Sequence, residues 1–444
     1  MKNAIVTLFL WGTLTASAVF ADRPNIIFIL ADDLGYGDLE CYGHPTAKTP
    51  HIDQLAKDGV RFTQHYSNGP ECSPTRTAFL TGRYQQRVTG LECAIGTGNV
   101  GRYDDAIRLA EARQLGLPAD QTVIPGQLTA AGYTCGVFGK WHLGYEPQFN
   151  PKEHGWDSFF GYLGGNVHYF NHRETSDLHV LFNGRLPVYR EGYMTHLITD
   201  ASIEFVQQNK QEPFFLYVSH ESPHFPYQGP SDTKKDVTKD NWMEIDDGAY
   251  VAMLEDLDSE VGRLLASVDE AGLAKNTVVV FVSDNGGFAG AANMGGLRGA
   301  KSTTFEGGIR VPLIIRWPGR IKPGTQCDQP CVTFDLTHSF LKLAEVKTDG
   351  LSLDGDDIVE HVMNGRKDYP RSLFWRGKRG NRTWSAVRHG DQKFVRKVEG
   401  AATEEWMFDL ASDAAETKDL KPGKSPKHLL ELLENWEKSM AANP

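Results

Sequence analysis

Residues 25–33 read NIIFILADD: a continuous apolar run rich in isoleucine, Asn25 to Ala31, closed by Asp32 and Asp33. A short apolar run without alternation predicts a strand buried on both faces of a parallel sheet. Residues 213–219 (PFFLYVS) and 277–283 (TVVVFVS) read the same way, and 311–317 (VPLIIRW) follows a glycine pair. Between them lie helical patterns at 51–58, 121–131, 196–208 and 249–271. Strands alternating with helices predict an α/β fold, a large, mostly parallel mixed sheet sandwiched by helices. The apolar runs end in polar residues: Asp32 and Asp33, then His220 and His224, then Asp284 and Asn285. In open α/β sheets the ligand crevice lies at the carboxyl ends of the strands, so these clusters are expected to converge.

The pattern changes near residue 365. Segments 371–376, 383–388, 392–398 and 405–410 are short and separated by Gly, Asn and Asp, which predicts a small antiparallel sheet, and a helix at 426–440 follows. The organisation expected is a leader at 1–21, a catalytic domain at 22–364 and a small C-terminal α+β subdomain at 365–444. The leader is read from Lys2, the apolar stretch 4–12 and two small-x-small cleavage points, after Ala18 and after Ala21. Ala21 is preferred because the first strand begins almost at once; an uncleaved anchor helix is the other reading. No later segment reaches the ~18 apolar residues of a membrane span, so the mature chain is expected to be exported, to the periplasm or beyond.

The 444 residues carry 46 Lys plus Arg against 57 Asp plus Glu, a net charge of −11. That balance, with no long basic run, argues against nucleic acid as a partner but leaves room for a local anion pocket. The 40 % hydrophobic fraction is enough for a sizeable core. Six cysteines are too few for a disulfide framework; Cys327 and Cys331 are close enough in sequence to suggest a small-loop disulfide.

Two adjacent carboxylates leaving a buried strand repel each other, and a hard cation such as Ca²⁺ would relieve both. Asp284-Asn285-Gly286-Gly287 adds a carboxylate and an amide oxygen at another strand end. Each pair alone also suits a turn or a helix cap. In Cys72-Ser73-Pro74-Thr75-Arg76, Pro74 suits a helix's first turn, which puts Cys72 at its N-terminus, where the dipole favours anions, and Arg76 one turn on. A buried cysteine before a capped helix is the plainer alternative. Lys140 and His142, two apart in an extended segment, are expected to point the same way. With His224, in SPHFP, and Lys301, in GAKSTTFEGG, these residues make an inventory for a tetrahedral oxyanion bridged to a metal ion, with proton donors beside it.

Taken together, PNIIFILADDLGYGDL, CSPTRTAFLTGR, GKWHLG, SPHFP, SDNGG and GAKSTTFEGGIRVP, in that order, closely resemble the formylglycine-dependent (type I) sulfatases of the alkaline-phosphatase superfamily, in the branch of arylsulfatase A and the N-acetylgalactosamine-6-sulfatases. The resemblance implies an alkaline-phosphatase-like fold and sulfuric ester hydrolysis. It implies that Cys72 is oxidised to Cα-formylglycine by a formylglycine-generating enzyme that reads Pro74 and Arg76. It implies Ca²⁺ ligation by Asp32, Asp33, Asp284, Asn285 and the converted Cys72. Arg76, Lys140 and Lys301 would hold the nucleophile and the sulfate oxygens. His142 and His224 would complete the pocket, with Lys301 or His224 as general acid and His142 as the later proton acceptor.

The expected substrate is a sulfated saccharide. The segment 160–173 (FGYLGGNVHYFNHR) offers His168, His172 and Arg173 as substrate-binding candidates, brought close by Gly164 and Gly165, although ordinary surface-loop chemistry is an equal reading. The resemblance also implies that loops near 90–115 and 225–245 surround the mouth. Competing functions are a phosphodiesterase or phosphonate hydrolase of the same superfamily, and a silent glycan-binding protein that keeps the fold.

Overall fold

The structure, a computed structural model, describes residues 23–421 and 426–442; the leader at 1–21 lies outside them. The strands in chain order are β1 (Asn25–Ala31), β2 (Val60–Phe62), β3 (His65–Tyr66), β4 (Thr134–Lys140), β5 (Ser158–Tyr162), β6 (Leu181–Asn183), β7 (Leu186–Pro187), β8 (Phe214–Ser219), β9 (Thr277–Ser283), β10 (Leu313–Arg316), β11 (Thr325–Cys327), β12 (Cys331–Val332), β13 (Ser372–Arg379), β14 (Arg382–His389), β15 (Gln392–Glu399) and β16 (Ala402–Asp409). One large sheet has the order β11-β2-β10-β9-β1-β8-β4-β5-β6-β7. Its centre, β9-β1-β8-β4-β5, is parallel throughout, and β10 runs antiparallel to both β9 and β2. The fold is therefore the expected α/β one.

All of β1 is buried, and its side chains alternate between two cores. Ile26, Phe28 and Leu30 join the cluster holding Phe79, Leu80 and Phe340, while Ile27, Ile29 and Ala31 join the one holding Leu257 and Val261. Phe28 stacks on Phe79 with ring centroids 4.0 Å apart. Each fully buried side chain of this size contributes roughly 1.5–3 kcal/mol relative to exposure, so helices on both faces are needed to cover the sheet. Helices Pro50–Lys57, Met194–Asn209 and Asp247–Glu270 cover one face, and Cys72–Thr81, Ile124–Ala130 and Thr333–Leu343 the other.

The order β13-β14-β15-β16 is an antiparallel meander joined by two-residue turns at Gly380, Gly390 and Gly400, each with positive φ. Helix Lys427–Ala442 packs Leu429, Leu433 and Trp436 against its Leu373, Trp375 and Phe394. Trp375 Nε1 donates to Ser67 O at 2.8 Å, and the buried Lys393 pairs with Glu306 and Glu416 at 2.8 and 2.9 Å. These bonds fix the small sheet against the main body.

Three expectations change. Strands β4 and β5, which the sequence reading did not include, occupy positions beside β8 in the parallel centre. The 311–317 run shortens to β10. All six cysteines are free thiols: Cys327 pairs with Phe62 in the large sheet and Cys331 with His65 in a separate two-stranded sheet, so the two belong to different ladders.

Candidate active site

Because β1, β4, β8 and β9 run parallel, their carboxyl ends meet on one edge of the sheet. Asp32 and Asp33 leave β1, Lys140 closes β4, Ser219 closes β8, and Asp284 and Asn285 leave β9. Helix Cys72–Thr81 points its N-terminus at this edge, with every residue buried. Ligand atoms of Asp32, Asp33, Cys72 and His224 all lie within 4.8 Å of one another.

Cys72 Sγ is 3.3 Å from Asp32 Oδ1, and Lys301 Nζ is 3.5 Å from the same sulfur. Lys301 Nζ also stands 2.7 Å from Asp33 Oδ1 and 3.1 Å from His224 Nε2. Asp32 is held by Lys140 through a short ion pair. Arg76 bonds Asp284 Oδ2 through Nε and Nη2 at 3.1 and 2.9 Å, and its Nη1 reaches Ser219 Oγ at 2.5 Å and Lys140 O at 3.1 Å. Asn285 Nδ2 donates to Asp33 Oδ1 at 2.7 Å. All of these groups are buried except Lys301, which is partly so.

Three carboxylates thus face three cations in a largely buried cluster. Burial raises the Asp32 carboxyl, but Lys140, Arg76 and Lys301 outweigh it and hold Asp32 below the usual range. Asp33 goes the other way: burial lifts it to about 6 in spite of Lys301. Burial, with Asp32 nearby, also raises Asp284. The Cys72 thiol is pushed well up by burial and by Asp284 and Asp32, so it stays protonated. Burial and the neighbouring lysines push both His142 and His224 well down, so both are neutral.

The donor set suits a hard cation. Three carboxylates and one amide converge, all of them oxygen donors, and Asn285 Oδ1 is buried with no partner among the described residues. A carbonyl oxygen left so costs roughly 1–3 kcal/mol, which a cation would recover. With the six charges already balanced, an added divalent ion would give the pocket a positive potential suited to an incoming anion.

Lys140 and His142 do not share an extended segment. Lys140 closes β4, but His142 has φ 57°, which turns its ring toward Ile95, where Nε2 meets the backbone O at 2.8 Å; Nδ1 has no partner among the described residues. Gly165 has to lie here without a side chain, because a Cβ would stand 2.8 Å from the His142 ring.

The cleft that opens onto Cys72 has a volume of about 150 Å³. His142, His224 and Lys301 line it; Arg76 and Lys140 do not, being turned to Asp284 and Asp32 behind it. None of the substrate-binding candidates reaches its wall. His168 Nε2 meets Gln228 Nε2 at 3.1 Å, the buried His172 meets Gly192 O at 3.1 Å, and Arg173 turns out to Asp177. Their polar groups hold the loop together. The wall comes from Asn166 in that segment, from Thr97 and Arg102, from Phe225 and Met243, and from Phe288 and Arg379. The 90–115 and 225–245 loops therefore do meet the mouth. Phe288 and Arg379 carried no local sequence signal, and Arg379 comes from the C-terminal sheet.

The family model described as Sulfatase matches residues 24–346, and that described as N-sulphoglucosamine sulphohydrolase, C-terminal, matches residues 300–441. Mouse N-acetylgalactosamine-6-sulfatase is 33 % identical over 413 residues, covering 88 % of this chain and 75 % of its own. Human arylsulfatase A is 32 % identical over 437 residues, covering 90 % and 80 %. The crystal structure of Ps i-CgsB superposes with a TM-score of 0.81 at 29 % identity, covering 95 % of this chain and 94 % of that one. Ps i-CgsB is also solved in complex with k-i-k-neocarrahexaose, with a TM-score of 0.80.

Proposed function

The chain belongs to the sulfatase family and is a sulfuric ester hydrolase; on that premise we propose that it is an exported enzyme that removes sulfate from a carbohydrate, using a formylglycine made from Cys72 and a bound Ca²⁺. The observation that carries this reading is the position of Cys72: at a buried helix N-terminus, 3.3 Å from Asp32 and 3.5 Å from Lys301, at the floor of the cleft. As a thiol it is a poor nucleophile there, because burial and two carboxylates keep it protonated. Its conversion to a hydrated aldehyde would supply two hydroxyls, one to attack sulfur and one to release the product. Asp32, Asp33, Asp284 and the Asn285 oxygen would hold Ca²⁺, which would polarise that group and the sulfate oxygens.

The protein's own groups divide the remaining work. Lys140 and Arg76 anchor Asp32 and Asp284, so these carboxylates keep fixed positions. Lys301 reaches the nucleophile position and stays charged: burial lowers it, but Asp33 more than compensates. His224 Nδ1 lies 2.6 Å from the Phe225 carbonyl, so it carries the ring proton, and Nε2 accepts from Lys301. Of the two candidate acids, Lys301 therefore has the proton to give to the departing alcohol, and His224 aims it. His142 donates Nε2–H to Ile95 O, which leaves Nδ1 as the one ring position open to a proton, with its basicity held well down by burial and Lys140.

The carbohydrate substrate is supported by the named activities of the N-acetylgalactosamine-6-sulfatases and by the carrahexaose bound to Ps i-CgsB. Phe225 and Phe288 on the cleft wall add apolar faces of the kind sugars stack on. The deciding experiment is mass spectrometry of the Cys72 peptide beside turnover of a sulfated oligosaccharide. An unmodified Cys72 in fully active enzyme would sink the nucleophile; a modified Cys72 with no sulfate released from any saccharide would sink the substrate class.

A further inference from the structure

The cleft lining is of two kinds: Phe225, Met243 and Phe288 are apolar, while Arg102 and Arg379 are cationic. Among the cations at or around the reaction centre, Arg76, Lys140 and Lys301 are each matched by an aspartate, and Arg379 is matched by Glu71, 3.1 Å from its Nη1. Arg102 is the exception. Its side chain has no hydrogen-bond or ion-pair partner among the described residues, although it is half-buried on the cleft wall.

The backbone beneath it is nonetheless pinned. Gly380 N, in the turn after Arg379, donates to Arg102 O at 2.5 Å, and Lys378 Nζ lies 5.7 Å from the centre of the Tyr103 ring. The C-terminal sheet thus fixes Arg102 next to Arg379. A guanidinium kept at a cleft wall without an acid partner is a donor fork waiting for an anion.

Resting on the sulfatase reading above, we propose that Arg102, with Arg379 beside it, is a second anion subsite at the mouth of the cleft. The favoured substrate is then a saccharide that carries a further charged group, a sulfate or a carboxylate, on or next to the sugar whose ester is cleaved. The reaction centre reads the scissile sulfate, the aromatic wall takes the apolar face of the sugar, and the arginine pair reads the second charge.

The test uses Cys72→Ala protein, in which binding is separated from turnover, with Ca²⁺ present. Calorimetry compares three disaccharides of one backbone: singly sulfated, doubly sulfated, and sulfated with a uronate neighbour. The second charge should tighten binding about tenfold, or ~1.4 kcal/mol, with the gain shrinking as salt rises. Arg102→Gln should abolish most of that gain without orphaning an acid, and the Gly380–Arg102 bond survives because it is made by backbone. The better of the two doubly charged ligands identifies the second group. Equal affinity for all three, or a gain that survives Arg102→Gln, overturns the proposal. Turnover of a small aryl sulfate by the unsubstituted enzyme tests the sulfatase reading separately: no turnover alongside an intact affinity gain would leave the subsite standing and remove the chemistry.

Discussion

Lys301 holds its ammonium 3.5 Å from the Cys72 sulfur, although the two residues are far apart in the chain. The same ammonium pairs with Asp33 at 2.7 Å and donates to His224 at 3.1 Å, so one group links Cys72, the buried Asp33 carboxylate and the neutral imidazole that orients it. If Lys301 gives the proton to the leaving alcohol, its loss should hurt most where that alcohol is a poor leaving group. Lys301→Ala should lower kcat on a sugar sulfate by roughly 10²–10⁴-fold, and less on an aryl sulfate with an acidic phenol. An equal loss on both would assign Lys301 to binding alone.

Cys72 should be found as an aldehyde, about 18 Da lighter, when a host with the modifying system exports the protein. Cys72→Ala should keep the fold, since the side chain shrinks by one atom at a helix N-terminus, and should have no measurable turnover. Full activity of Cys72→Ala would refute the mechanism.

The centre of the sheet was legible where its strands are plain apolar runs. β1 and β9 have the bounds read from sequence because every residue in them is buried among apolar neighbours. β4 and β5 were not legible, because glycines interrupt them. The structure shows why those glycines stand there: a Cβ on Gly139 would be 2.0 Å from Ser219 O, and one on Gly161 would be 1.9 Å from Gly139 O. The strands approach too closely for side chains, which removes the apolar signal a reader relies on.

The same division holds in the site. Asp32, Asp33, Asp284 and Asn285 were legible because polar residues directly after buried strands need a reason to be there. The mouth was not. His168 and His172 look like ligand groups in sequence, yet they spend their polarity on Gln228 and Gly192. Arg102 and Arg379 line the same cleft, and a turn of the C-terminal sheet bonds the segment before helix Asp104–Glu111. No local pattern reports a contact of that kind.

Calcium should be measurable as stability as well as activity. A ligand present at a hundred times its Kd adds about 2.7 kcal/mol to the folded state, so a chelator should lower Tm and turnover together, and Ca²⁺ should restore both. Asn285→Ala removes the unpartnered buried oxygen and should weaken the Ca²⁺ dependence of Tm. A Tm indifferent to chelation and to Asn285→Ala would remove the metal from this site.

Glu174 should make stability fall as pH rises from the acidic range to neutrality. Its Oε1 accepts from Tyr145 OH at 2.8 Å, but Oε2 is buried with no partner among the described residues. Burial therefore favours the protonated form and lifts the carboxyl from 4.5 to about 7, with Tyr145 pulling slightly the other way. The folded state then binds a proton that the unfolded chain has already released. By linkage the stabilisation is complete below pH 4.5 and is lost as pH rises through about 7. Glu174→Gln keeps the Tyr145 bond and cannot ionise, so its Tm relative to the unsubstituted enzyme should climb by about 1–3 °C between acidic and mildly alkaline buffer. Taking the difference cancels the other groups that titrate in this range, among them Asp38 and Glu416, which burial also lifts to about 7. A constant difference across the range would mean that the Glu174 carboxylate has found solvent or a cation and carries its charge without cost.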